Sequence, residues 1–415
     1  MKLNFTNRGQ LPIGLDIGHN YIKMIQLAVI GGHISVLAAS KYRIDARIDG
    51  DMAARHSFVI SAVKKMMAEG SFRGNNVVSC LPNDGLKITS LRLAEEENGD
   101  IEKVLRKEVA QRFGLSSEED AVQYMLAGNV HHGDAIQNEY ILFAADGNLV
   151  KEHISLMEEA GLKPVGLDAL PCALFRSFER SLQRQEDRDR TAVFIDFGSR
   201  FTTVVFGRGR EITFAKQIPV GGDNFDEAIA EKLSVSMADA EILREKLRKE
   251  RTPSGSGIAA GEVEGEGEVE GEAKAAGESG EAGELDTSTR QVIVDAITTV
   301  SEKLVREISL CFRYYTVTFR GKRVERAVLS GGEAYEQILV NVLKRQLAVD
   351  VEMSQPFRGF DMMNFNVKGD RRSCLAEWTV AVGLSLKGWK ESGKSEPRRV
   401  LSPVTSGEAE GYERN

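Results

Sequence analysis

The stretch Leu11–Leu27, LPIGLDIGHNYIKMIQL, runs apolar residues into Asp16, breaks at Gly18 and turns apolar again from Ile22. An acid and a glycine between two buried strands serve one of two ends. They make an ordinary hairpin corner, or they let the backbone approach an anion closely. A single occurrence does not choose between them. The pattern returns at Ala192–Phe206, AVFIDFGSRFTTVVF, with Asp196 and Gly198. Repetition at domain scale predicts two related halves facing a cleft. Each half then supplies a turn whose exposed N–H groups favour phosphate, and an aspartate that holds Mg2+ through water. A third stretch, VLSGGEA at Val328–Ala334, reads as a buried strand entering a glycine pair at a helix start, where the backbone can lie flat against a purine or ribose.

With 415 residues the chain is long enough for two domains. Its formal net charge is −8, and nine Glu and one Lys between Gly261 and Leu285 account for all of it. The remainder is near neutral, so no basic face is expected and no nucleic-acid partner. Cys80, Cys172, Cys311 and Cys374 are far apart among apolar neighbours and read as buried free thiols. The first ten residues, MKLNFTNRGQ, lack the apolar core of a signal peptide. No apolar run approaches the ~18 residues of a membrane span, so any membrane association is expected through a partner.

Hydrophobic periodicity and Gly/Pro punctuation divide the chain into a first half over 11–190 and a second over 191–390, followed by a polar tail over 391–415. Within the first half a strand, a helix, two strands and a second helix, capped by Asn148, form an inserted α+β subdomain over about 83–163. A helix over Leu167–Arg184 leads to the polar boundary. In the second half, 252–286 is Gly/Glu-rich and expected to be disordered. It reads as an acidic tether or as a tolerated loop expansion.

Five stretches together resemble the actin-like ATPase superfamily: GLDIGHNYIKMIQL, LDALPCALF, IDFGSRFTTV, LSGGEA and TVAVGLSLKG. Within it the chain is most similar to the PilM family of type IV pilus assembly proteins, through AGLKPVGLDALP, IPVGGDNFDEAIAEKLSVSMADAEILREKL and VAVGLSLKG. The resemblance covers roughly 11–390 without the acidic insertion. It implies an α/β fold of two ribonuclease H-like halves around a nucleotide cleft, with a small inserted α+β subdomain in the first half.

The resemblance also assigns residues. Asp16 and Asp196 organise Mg2+ and water. Gly18 and Gly198, with the backbone of His19, Asn20 and Ser199, cradle the phosphates of ATP. Lys23 reaches a phosphate oxygen as a compact cation, or is a solvated strand lysine. Thr202 is the threonine of the second loop, or simply a β-branched strand residue. Gly221 and Gly222 approach the nucleotide ahead of their helix. Glu241 and Arg244 are the acid–base pair beside adenosine, or an ordinary i,i+3 surface pair. Gly331, Gly332 and Glu333 close over adenosine.

Two departures bear on chemistry. His19, Asn20 and Tyr21 stand where small hydroxyl residues are usual. Leu170 stands before Pro171, where an acid would orient the attacking water, and Asp168 lies two residues upstream. Leucine cannot orient water, so the expected activity is nucleotide binding with at most slow turnover. The function implied is a cytoplasmic scaffold, peripheral to the inner membrane through the N-terminal tail of a PilN-like protein, with self-association left open. The alternatives are a sugar-kinase-like phosphotransferase and an FtsA-like filament former. The latter usually ends in an amphipathic membrane helix, which the tail after Lys390 does not resemble.

Overall fold

In the computed structural model the described residues are 9–45, 48, 50–94, 101–132, 135–179, 190–251, 285–319, 323–365, 367 and 375–387. The acidic stretch up to residue 284, the polar tail, Asp100 and Cys374 lie outside them. The first half opens with β1 (Gln10–Ile17), β2 (Tyr21–Ile30), β3 (His33–Arg43), α1 (Met52–Glu69) and β4 (Asn76–Cys80). An insert follows, made of β5 (Lys87–Ala94), α2 (Ile101–Phe113), β6 (Ala121–His132) and β7 (Ala135–Ala145). Then come α3 (Gly147–Glu159), β8 (Lys163–Asp168) and α4 (Leu170–Glu179). The second half carries β9 (Thr191–Phe197), β10 (Thr202–Arg208), β11 (Glu211–Ile218), α5 (Gly222–Leu233), α6 (Met237–Arg251) and α7 (Thr287–Thr318). It ends with β12 (Val324–Ser330), α8 (Gln337–Gln346) and β13 (Asp350–Met353), and α9 (Thr379–Ser385) closes the described chain.

The two large sheets have the same plan. Their strand orders are β3-β2-β1-β4-β8 and β11-β10-β9-β12-β13. In each, three strands form an antiparallel meander and two more join in parallel. Parallel neighbours require crossovers, which α1 and the long α5–α7 excursion provide. A third, three-stranded sheet, β5-β7-β6, belongs to the insert.

Strand alternation decides which residues face the cleft. Phe194 packs against Phe175 and Phe178 of α4, while Phe206 packs against Phe312 and Tyr315 of α7. Asp196 therefore lies on the α4 side with Phe194. In the first sheet Ile13 and Leu15 join a core with α1 and α3, and the opposite face meets α9. Helices α4 and α9 thus lie between the two sheets. Their crossing is backbone on backbone, since a Cβ at Gly383 would collide with the carbonyl of Ala173; α9 sits as closely on β1, where a Cβ at Gly14 would collide with the carbonyl of Ala381.

The structure corrects four local expectations. Helix α3 does not belong to the insert, because its Leu156 and Met157 pack in the core of the first half. It is capped by Asp146, whose carboxylate accepts from the N–H groups of Asn148 and Leu149, and not by Asn148. Leu167 and Asp168 end strand β8, and the helix starts at Leu170. Strand β13 is four residues long and carried no sequence signal.

The contact at Gly383 gives a direct test. Gly383→Val forces α4 and α9 apart and should cost roughly 1–3 kcal/mol, as overpacking does. Gly166→Ala, where a Cβ would meet only ordinary contacts at 3.7 Å, should change stability by less than about 0.5 kcal/mol. Thermal unfolding of the two variants checks the difference.

Candidate functional site

The two acid–glycine turns are superimposable in their bonding. Gly18 N–H donates to the Tyr21 carbonyl at 2.9 Å, and Gly198 N–H to the Phe201 carbonyl at 3.0 Å. Each turn is also held from behind by its next two carbonyls. In the first, Arg55 of α1 donates to Gly18 at 2.8 Å and to His19 at 3.0 Å. In the second, the N–H groups of Gly222 and Asp223 donate to Gly198 at 3.0 Å and Ser199 at 2.8 Å. Gly221 is required there, because a Cβ would meet the carbonyl oxygens of Gly198 and Ser199. With its carbonyls tied back, each loop leaves its N–H side toward the cleft. Arg55 was missed by the sequence reading, since nothing in a helix of mixed polarity marks one arginine as a loop anchor.

The acids sit at the ends of their strands, both buried. Asp16 pairs in register with Lys23, and the Lys23 ammonium lies 3.2 Å from its carboxylate. Lys23 is therefore not a solvated strand lysine. Burial alone would lower its pKa, but Asp16, Glu377 and Asp196 outweigh that and leave it raised. Asp196 accepts from the Ser330 hydroxyl at 3.0 Å. Burial, and then the charge of Asp16, push its carboxyl up to about 6 against that hydrogen bond and Lys23. These couplings bring the two acids and one lysine together. Cys80, at the end of β4, feels the same place: burial and the charges of Asp16, Asp168 and Asp196 push its thiol well up.

Thr202 stands on the other side of its strand. Its side chain is fully buried and donates to the Val220 carbonyl at 2.7 Å, anchoring the approach to Gly221. The residue opposite Asp196 in register is Thr203, as Lys23 is opposite Asp16. Its buried hydroxyl has no hydrogen-bond partner among the described residues. Counting strand parity from Asp196 would have singled it out.

On the side assigned to adenosine, Glu241 and Arg244 do not pair with each other. Arg244 is buried and clamps Asp226 at 2.7 and 2.9 Å and Glu333 at 2.6 Å. Glu241 receives Arg43 of β3 at 2.6 Å, a bridge between the two halves. A second bridge sets His19 3.8 Å from Asp223. Gly331 adopts φ +90°, with its Cβ position against the backbone of Phe197, so glycine is required. Gly332 has nothing within 4 Å of its Cβ position, which leaves that edge open. Tyr21 lies under the Lys41 ammonium, 4.1 Å from its ring centre.

Among the described residues, no group of three or more His, Cys, Asp or Glu could hold a metal by itself. The oxygen donors are the carboxylates of Asp16 and Asp196 and the unpartnered Thr203 hydroxyl, with the Lys23 ammonium beside Asp16. That suits a hydrated Mg2+ shared with phosphate oxygens, since Mg2+ keeps several waters.

The catalytic side is different. Asp168 is held by Arg176 at 2.7 Å and Lys387 at 3.6 Å. Burial would raise its pKa, but the two cations keep it lowered. Leu170 is buried at the start of α4.

Comparison with known proteins bears on this geometry. The chain matches the family described as type IV pilus assembly protein PilM over residues 14–252 and 272–389. It is similar to a solved PilM-PilN type IV pilus biogenesis complex, with TM-score 0.68 and 20% identity over 92% of this chain and 99% of that one. The ethanolamine utilization protein EutJ from Carboxydothermus hydrogenoformans also aligns, with TM-score 0.48 and 12% identity over 91% of this chain and 90% of that one. Among curated proteins, the cell division protein FtsA of Streptococcus pneumoniae serotype 2 (strain D39 / NCTC 7466) is 22% identical over 252 residues, 56% of this chain. The match spans 54% of FtsA, about half its length.

The raised pKa of Asp196 predicts a pH dependence. Between about pH 4 and 6 the native carboxyl keeps a proton that the unfolded chain has released. Native stability from this group is full at pH 4 and falls as pH rises through 6. Asp196→Asn should therefore stabilise the free protein at pH 7.5, by on the order of 2 kcal/mol, and give no gain at pH 4. Denaturant unfolding of both proteins at the two pH values measures it.

Proposed function

The chain belongs to the PilM family of type IV pilus assembly proteins, and on that premise we propose that it is a cytoplasmic scaffold that binds Mg–ATP between two actin-like halves. It also holds the N-terminal tail of a PilN-like inner-membrane protein. The observation that carries the nucleotide reading is the pair of matched turns, with Asp16, Lys23 and Asp196 gathered between them. His19, Asn20 and Ser199 provide backbone N–H groups for phosphates, while Gly18 and Gly198, whose own N–H groups close their turns, let the backbone come close. Lys23, held against Asp16, supplies a cation, and Gly332 the open edge for the sugar or base. Bound Mg2+ would offset the phosphate charge that two carboxylates otherwise repel.

Three further observations shape this reading. At the start of the first connecting helix Leu170 is apolar, and Asp168, at the end of β8, is engaged by two cations. Nucleotide therefore acts as a state marker with little or no turnover. The partner reading draws on the PilM-PilN complex that the chain resembles. No helix among the described residues is long and apolar enough to cross a membrane, so a membrane-anchored partner supplies the attachment. The match to FtsA favours one second reading, self-association into filaments.

Calorimetry with Mg–ATP tests the first claim. Binding is expected for the wild type, with at least about tenfold weakening in Asp196→Ala, as loss of a charge contact predicts. Phosphate release should stay near background. A peptide of the PilN-like tail should bind, and absence of binding with and without Mg–ATP would remove the scaffold reading. Sedimentation with Mg–ATP decides on filaments.

A further inference from the structure

The insert is chained to the first half but is packed on the second. Its strands β5, β6 and β7 lie against β11, and its inward residues Ala127, Val130, Ile141 and Phe143 join a continuous core with β9, β10, β11 and α7 that also takes in Val78 and Cys80 of β4 and the residues of α4. The core of the first half around Ile13, Leu15, α1 and α3 contains none of them. At the seam, Glu139 of β7 is buried and receives Arg92 at 2.6 Å and the Tyr314 hydroxyl of α7 at 2.6 Å. Arg92 also donates to Thr318 of α7 at 2.9 Å. Gly128 lies against Phe319, where a Cβ would come within 3.3 Å of the ring. A buried carboxylate whose two donors come from opposite sides of a seam resists separation, because parting leaves it uncompensated.

We infer that the insert is mechanically part of the second half, tied there by Glu139, Arg92, Tyr314 and Thr318. Any rotation between the halves then moves the insert against the half from which it emerges. The chain crosses between them twice, through 81–86 and at 145–147, on either side of the insert. If the partner tail is held between the insert and the first half, its seat opens or narrows as the nucleotide cleft closes. For this last step, nucleotide control of a partner groove, the inference rests on the function proposed above; the docking does not.

Spin labels on unnatural residues at exposed Gln111 (insert), Lys64 (first half) and Glu302 (second half) separate the two. Without nucleotide, the Gln111–Glu302 distance should be narrowly distributed. It should broaden in Tyr314→Phe, which keeps the ring packing on Phe214 and removes only the hydroxyl, while Lys64–Glu302 stays unchanged. A wild-type distribution as broad as that of Tyr314→Phe overturns the docking. With Mg–ATP, Lys64–Gln111 and Lys64–Glu302 should shift together while Gln111–Glu302 holds. An insert that keeps its distance to Lys64 instead overturns the inference. If Mg–ATP binds and moves no distance, nucleotide control is overturned and docking stands on the first comparison. If Mg–ATP does not bind, the nucleotide reading itself has failed. The ratio of tail-peptide affinity with and without Mg–ATP, roughly fivefold or more for ordinary coupling, should fall toward one in Tyr314→Phe.

Discussion

Helices α4 and α9 cross between the two sheets with backbone against backbone, and this contact sets the distances across the cleft. Gly383 makes it possible by carrying no Cβ where the carbonyl of Ala173 passes, and Gly14 of β1 likewise lets the carbonyl of Ala381 in α9 lie against the first sheet. Arg176 fixes the crossing further, donating to the Gly383 carbonyl at 2.9 Å while it holds Asp168 at 2.7 Å. A buried arginine with a carboxylate and a carbonyl is satisfied only in one geometry. The strands bearing Asp16 and Asp196 pack on α9 and α4, so the seating of these two helices governs how the acids are presented across the cleft.

The halves repeat a backbone and vary its electrostatics. Opposite Asp16 the first half places a lysine, and opposite Asp196 the second places a threonine. The first loop is tied back by a guanidinium, the second by the start of α5. The free cleft therefore holds two acids and one strand lysine in a buried setting, and the proton on Asp196 near pH 6 relieves part of the like-charge repulsion. Burial first, and the neighbouring Asp16 second, disfavour the charge on Asp196, and a cation arriving beside it would offset both. This is the physical reason for reading a metal-bound polyanion, and not a bare anion, as its ligand.

Much of this was legible from residue pattern. The meanders, the glycine turns and most helices announce themselves through runs of apolar residues and Gly or Pro punctuation. The strands that escaped, β8 and β13, are the outer strands of the two sheets. KPVGLD contains a proline and a glycine, and DVEM is too short for alternation to stand out. Each is specified by its parallel neighbour more than by its own side chains. At the site, position along the strand was read correctly for Asp16 and Asp196, but parity was not applied to Thr202 and Thr203. The partners of Glu241 and Arg244 come from elements distant in sequence, Arg43, Asp226 and Glu333, and no local spacing encodes them.

The polar seam at Glu139 and the ion-paired Asp168 belong to one account. An enzyme that turns over needs an acid free to hold water, and Asp168 is instead committed to the helix crossing. The same commitment stiffens the joint between the halves. With the insert clamped to the second half, a bound ligand sets the relative position of two bodies, and hydrolysis is not required for that. Binding free energy alone supplies it, provided the ligand prefers one angle between the halves over another. Leu170 before Pro171 fits this architecture, in which the proposed ligand would act by being held and not by being turned over.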